Sequence, residues 1–261
     1  MLPAHSTAGI PAAEKTGCRL EDFPERYQEA VLDIKLLMRT HSAVWREALQ
    51  LTEEDAKLAG QNRIPRLPAR FSVDRIFEEF NAQHKPPEET DADENSMLLP
   101  IGAVQLEIQE ALLELFNLLL RPLLLQRAEH LQHDEHEAAE MAKKGVPFER
   151  RAVCTCDTND EDAIPANPEF EASAHYGVVH LFRFFSRLPH ILVGAGIRPD
   201  CFELIYTVVF QLVSFILAHK ERYFDPQKDF VPQSAAYVQR TERHHKPPAT
   251  QQSTVAADQN A

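Results

Sequence analysis

Three clusters in this 261-residue chain carry side chains able to hold a metal or move a proton. The densest is "EHLQHDEHE", where His130, His133 and His136 follow at intervals of three, with Cys154-Thr-Cys156 downstream. Imidazoles three apart on a helix are neighbours, so His130 and His133 have the spacing to share an ion. His136 is rotated too far round to join them without distortion. Cys-x-Cys is tighter than the two-to-four-residue gap of zinc modules, and the stretch reads as the charged, solvated end of a helix. The second candidate is Glu242-x-x-His245, the one pair with the spacing of di-iron bundles, which need such pairs on two inward-facing helices. It stands alone, in a tail whose composition predicts no fixed structure.

The third is the polar thread in "HYGVVHLFRFFSRLPHIL", His175 to Leu192. At 100° per residue Tyr176, His180, Arg183 and Arg187 fall within a sector of about 60°, and Leu181, Phe182, Phe184, Phe185 and Leu188 occupy the rest. Such a helix is central to its domain. His180 and Arg183 are therefore expected to satisfy buried carbonyls or a carboxylate. No nucleophile or second acid stands beside them to complete a catalytic set. Arg187, at the end of the row, is expected at the surface, where a guanidinium can grip a partner's backbone or carboxylate. With only eight glycines, and with no Gly-x-Ser-x-Gly, His-Glu-x-x-His or Walker loop, nothing points to a nucleotide cradle, a catalytic residue, a metal set or a cofactor.

The elements that must position these residues are helical. Pro24 suits a first helical turn, after which Tyr27, Ala30, Val31, Ile34, Leu37 and Met38 mark an apolar face; a further helix runs to a stop at Gly60. Ser72 is placed to cap "VDRIFEEF", whose Val73, Ile76, Phe77 and Phe80 fall at i, i+3, i+4 and i+7. A long pattern from Ile101 to Met141 turns Ile108, Leu112, Leu115, Phe116 and Leu119 inward and meets Pro122, which predicts a kink or break near Leu119. Pro189 is expected to close or bend the helix of the polar thread, and Asp200 to cap the next. No alternating strand pattern is convincing. Phe202 to Ala218 is apolar but short of a bilayer span of about 20 residues. Its Thr207, Gln211 and Ser214 line one side, as in a buried soluble helix with one wet stripe. No membrane association is expected.

Composition narrows the function. A formal charge of −13, from 27 basic and 40 acidic residues, repels phosphate backbones, so direct nucleic-acid binding is not expected. Four scattered cysteines and the absence of an apolar leader fit a reducing, intracellular setting. Residues 1–20 and 238–261 are expected to lack fixed structure, and 84–99 and 144–173 to be acidic, proline-rich loops.

In order along the chain, "LPARFSVDRIFEEF", "FNLLLRPLLL", "HYGVVHLFRFFSRLP" and "YFDPQKDFVPQSAAY" resemble the signatures of the MRG domain, the helical domain of the mortality-factor-related chromatin proteins. Tyr-Gly-x-x-His-Leu-x-Arg-x-Phe, Tyr176 to Phe185, is the most specific element, and the resemblance runs from Phe23 to Tyr237. It implies an all-α domain over 21–237, with Tyr176, His180, Arg183, Phe185, Phe116 and Phe77 as core residues. The implied role is a non-catalytic, nuclear scaffold of histone acetyltransferase or deacetylase complexes that regulates transcription. Its partners would be Phe-x-Leu-Pro peptides or helices seated in a shallow hydrophobic groove. That groove would be formed by Val31, Leu32, Lys35, Gln126, Ser186 and Arg187. Lys35 stands where an aromatic is usual and Gln126 where a tyrosine is, and the family's Glu-Arg-Pro-x-Tyr stretch gives way to "EHLQHDEH". The alternatives are a non-nuclear helical adaptor that has lost the groove and a metal-dependent enzyme built on the His130 cluster. About twenty residues precede the first helix in this sequence, so the chromodomain of many relatives is not expected in it.

Overall fold

The computed structural model describes residues 25, 27, 28, 42–84, 101–146 and 169–244. They fold as helices with one small sheet. Helix α1 (Ser42–Gly60) buries Trp45, Ala48 and Leu58. Helix α2 (Val73–Gln83) is capped by Ser72, whose Oγ accepts from Arg75 N at 3.3 Å, and it buries Val73, Ile76, Phe77 and Phe80, the face its spacing requires.

Helix α3 (Ile101–Leu119) buries Leu112 and Phe116 and packs Ile108, Leu115 and Leu119 partly against the core. It ends at Leu119, and Leu120–Leu124 open into a π turn closed by Leu125 N to Leu120 O at 3.1 Å. The cause is Pro122, which has no N–H to donate and whose ring crowds the carbonyl four residues back. Helix α4 (Glu129–Lys144) then starts afresh and stops at Gly145, which turns the chain through φ 71°.

Two helices form the centre. Helix α5 (Val178–Gly194) packs on α1, α2 and the π turn, and α6 (Phe202–Ala218) packs on α1, α2 and α3. Helix α5 continues through Pro189, so that residue does not close it. Asp200 lies in a 3₁₀ turn, Pro199–Cys201, and its carboxylate takes Arg198 at 2.6 Å; no side chain caps α6. Counted with that turn, Pro199–Ala218 reaches 20 residues and is apolar enough to cross a bilayer. Its Tyr206, Val209, Leu212, Val213 and Ile216 are instead buried among the other helices, while Thr207 and Gln211 face outward, the pattern of a core helix.

A short α7 (Lys220–Tyr223) leads to β2 (Phe230–Pro232), which pairs antiparallel with β1 (Arg63–Pro65) in the register Arg63 to Pro232 and Pro65 to Phe230. Strands of three residues ending in proline are too brief for an alternating pattern, which is why the sheet has no sequence signal. Two boundaries also differ from expectation. Residues 238–244 are not a structureless tail: they belong to helix α8 (Ala235–His244), docked on α4 by Tyr237 Oη to Ala128 O at 2.7 Å and His244 Nε2 to Asp134 Oδ2 at 2.9 Å. The end of the second acidic loop is packed, with Phe170, Ala172 and Ser173 buried.

Candidate functional site

The start of α5 is set by a close backbone approach. Ala69 N donates to His175 O and Val73 N to Tyr176 O, each at 2.8 Å, so the chain before α2 runs directly against 175–177. A Cβ on Gly177 would stand 2.8 Å from both the Ala69 Cβ and the Phe71 carbonyl oxygen. Only glycine fits there, and the contact fixes where Tyr176 enters the core.

From that point the polar thread runs inward. Tyr176 and His180 are buried, and the Arg183 side chain is 11% exposed. Arg183 reaches two carboxylates at once: Nε and Nη2 donate to Asp55 at 2.7 and 2.8 Å, Nη1 and Nη2 to Glu129 at 2.6 and 2.8 Å. Its Nη1 also donates to Leu124 O at 3.0 Å, inside the π turn. The planar guanidinium suits this double fork, and every acceptor lies where water would otherwise be needed. His180 Nε2 approaches Glu129 Oε2 at 3.4 Å, and Gln126 N donates to the same oxygen at 2.8 Å. Glu129 opens α4, where the helix dipole also favours an anion.

The electrostatics follow from this packing. Burial opposes ionisation of Glu129, but His180 and Arg183 outweigh it and hold the carboxyl well below the usual carboxylate range. Of those two, Arg183 carries permanent charge. Burial and Arg183 push His180 down, which leaves it neutral. Burial likewise pushes Arg183 down, but Glu129 and Asp55 more than compensate and keep it charged.

A second chain of buried groups continues along α4. His133 Nδ1 meets Tyr176 Oη at 2.8 Å, and its Nε2 lies 3.5 Å from Glu137 Oε2. Burial, reinforced by Arg121 and the neighbouring histidines, lowers the His133 pKa to about 3. Tyr176 is pushed well above its ordinary value, by burial first and by Glu129 next, so its hydroxyl stays protonated. Asp134 takes Arg121 Nη2 at 3.1 Å and His244 on its other oxygen. The stretch "EHLQHDEHE" is thus not a solvated helix end: Glu129, His133, Asp134 and Glu137 are buried and partnered. Among the described residues His130 is in neither group of three ligand atoms that lie within 4.8 Å of one another.

The outer end of α5 is different. Ser186 and Arg187 are exposed; Ser186 Oγ bonds back to Arg183 O at 2.7 Å, and Arg187 makes no ion pair among the described residues. Gln126 is half-buried at the foot of the π turn, which α5 touches through Arg183 and Leu124. Val31, Leu32 and Lys35 lie outside the described residues, as do Cys154, Cys156 and His245. The other core residues, Phe185, Phe116 and Phe77, are each at most 3% exposed.

Two residues that hold the site escaped the sequence reading. Asp55 falls at the i+4 place between Leu51 and Leu58 on the inward stripe of α1, so an acid on an apolar face was its signal. Glu129 had no such mark.

An all-α domain organised on a buried arginine and two carboxylates is the class these observations define. The MRG family model matches residues 48–232. The chain belongs to the MRG family. It is 21% identical over 237 residues to the NuA4 complex subunit EAF3 homolog of Drosophila melanogaster, covering 91% of this chain and 46% of that protein. The chain thus spans about half the length of this curated relative.

Proposed function

We propose that this chain is a non-catalytic docking subunit of a nuclear chromatin-modifying complex, and that it regulates transcription by holding partner subunits together. The observation that carries the reading is the division of α5. Its Arg183 is held by Glu129 and Asp55 inside the core beside the buried His180, and its next turn offers Ser186 and Arg187 outward. A guanidinium bound by two carboxylates in a closed core is not available to a substrate, whereas an exposed guanidinium on a rigid helix is a good anchor for a partner's carbonyl or carboxylate. The relative's membership of the NuA4 complex supports an acetyltransferase setting.

On this reading the docking groove comprises Val31, Leu32, Lys35, Gln126, Ser186 and Arg187, and it takes partner helices or Phe-x-Leu-Pro peptides. Lys35 and Gln126 replace aromatic residues and favour a second reading, a non-nuclear helical adaptor that kept the fold but lost the peptide groove. Affinity purification from nuclei separates the two. Acetyltransferase or deacetylase subunits should co-purify with the native chain and be lost with Arg187→Ala combined with Val31→Asp, at unchanged helicity. Their absence from the native sample would refute the chromatin assignment, and undiminished capture by the double variant would move the groove elsewhere.

A further inference from the structure

Outside the groove and the buried seam, one group of ligating side chains has no assigned task. His136 and Glu140, one turn apart on α4, face His175 from the segment that leads into α5, and one ligand atom from each lies within 4.8 Å of the other two. All three are half-buried.

The rings are held in place by aromatic packing. Phe170 stacks on His175 with centroids 5.0 Å apart and planes 6° apart. The edge of His136 meets His175 at 4.7 Å and Phe170 at 6.1 Å. The His175 backbone is pinned on both sides, its N–H donating to Ala172 O at 2.9 Å and its carbonyl accepting from Ala69 N. His136 Nε2 is buried and has no hydrogen-bond partner, although a buried ring nitrogen ordinarily has one. Burial pushes both imidazoles below their ordinary pKa, so each presents a lone pair at neutral pH. Glu140 receives Lys143 Nζ on Oε1 at 2.6 Å, and a carboxylate has a second oxygen to offer.

We propose that His136, Glu140 and His175 form a zinc site that staples α4 to the segment entering α5. Two imidazoles and a carboxylate are a borderline donor set suited to Zn²⁺, with the fourth tetrahedral position left to water. Bonds of about 2.1 Å place tetrahedral ligands about 3.4 Å apart, and the three ligand atoms already lie within 4.8 Å of one another, a gap that the flexible Glu140 side chain can close. The neighbouring group His133, Asp134 and Glu137 also has ligand spacing. It is a poorer site: its members are buried, His133 is engaged by Tyr176, and Asp134 by Arg121 and His244.

The test is calorimetric titration of the untagged, full-length chain with Zn²⁺ after removal of metal by chelator. One ion per chain should bind, at micromolar affinity or tighter, and raise the melting temperature. His136→Gln, Glu140→Gln and His175→Gln, each confirmed as folded by circular dichroism, should weaken binding at least tenfold and abolish the thermal shift. Cys154→Ser with Cys156→Ser should leave both intact. Lys143→Ala, at an exposed position, should tighten binding by freeing Glu140, and this holds a prediction open even if the ligand variants misfold. Absence of binding, equal binding by the ligand variants, loss confined to the cysteine variant, or no gain with Lys143→Ala would each overturn the site.

Discussion

Arg183 and Arg187 stand one helical turn apart on the same face of α5, yet they meet opposite surroundings. Arg183 is enclosed by α1, the π turn and α4, and it donates to two carboxylates and a carbonyl. Arg187, at the end of the row, is exposed. An arginine in a core is tolerated only when every donor is matched, and removing it strands the acids it neutralises. An arginine at the surface stabilises the fold little, and its donors remain available to a partner. The same residue type on one stripe therefore serves architecture at one end and recognition at the other.

The largest test of that contrast removes each guanidinium in turn. Arg183→Ala leaves Asp55 and Glu129 buried without a counter-charge and should cost about 3–5 kcal/mol in urea unfolding. Arg187→Ala should change stability by less than about 0.5 kcal/mol while reducing partner capture. Similar costs for the two would erase the distinction. A smaller effect is expected from the backbone approach that aims the row inward. Gly177→Ala should cost about 1–3 kcal/mol, because the new methyl meets the Ala69 methyl and a backbone carbonyl that cannot move aside cheaply. Gly194→Ala, at the far end of the same helix, meets nothing within 4 Å and should be nearly neutral in the same assay.

The pH dependence sharpens the comparison further. His133 has a folded pKa of about 3, below the ordinary value of 6.5, so the unfolded chain binds the extra proton. Its contribution to stability is complete above about pH 6.5 and is lost progressively as pH falls toward 3, at up to about 1.4 kcal/mol per pH unit. Thermal unfolding between pH 7 and 5 should show that decline, and His133→Gln should flatten it by about one proton. Arg187→Ala should leave the slope unchanged.

Much of this fold was legible in the chain. Ser72, the Val73–Phe80 face and Pro122 act through neighbours within one or two turns, and local sterics and hydrogen bonds determined the cap, the buried stripe and the break at Leu119. The charged cluster from Glu129 to Glu137 was misjudged because an isolated run of acids and histidines is ordinarily solvated; its burial depends on partners from distant segments. Tyr176 lies 43 residues from His133, and His244 lies 110 from Asp134. Asp200 is not the cap because it lies inside the 3₁₀ turn Pro199–Cys201, which leaves Cys201 at the position before the helix.

The sequence by itself determined the main helices from Ser42 to Ala218, their apolar faces, the family resemblance and the division of the α5 row into an inner and an outer part, but not helix α8. Periodicity and capping are short-range, so they can be read along the chain. Only the tertiary structure decided which carboxylates hold Arg183 and which ligating groups come together at His175. Asp55 lies 128 residues from Arg183 and Glu129 lies 54 from it. Pairings across such separations are set by how helices pack, and packing leaves no periodic trace in either partner's own neighbourhood.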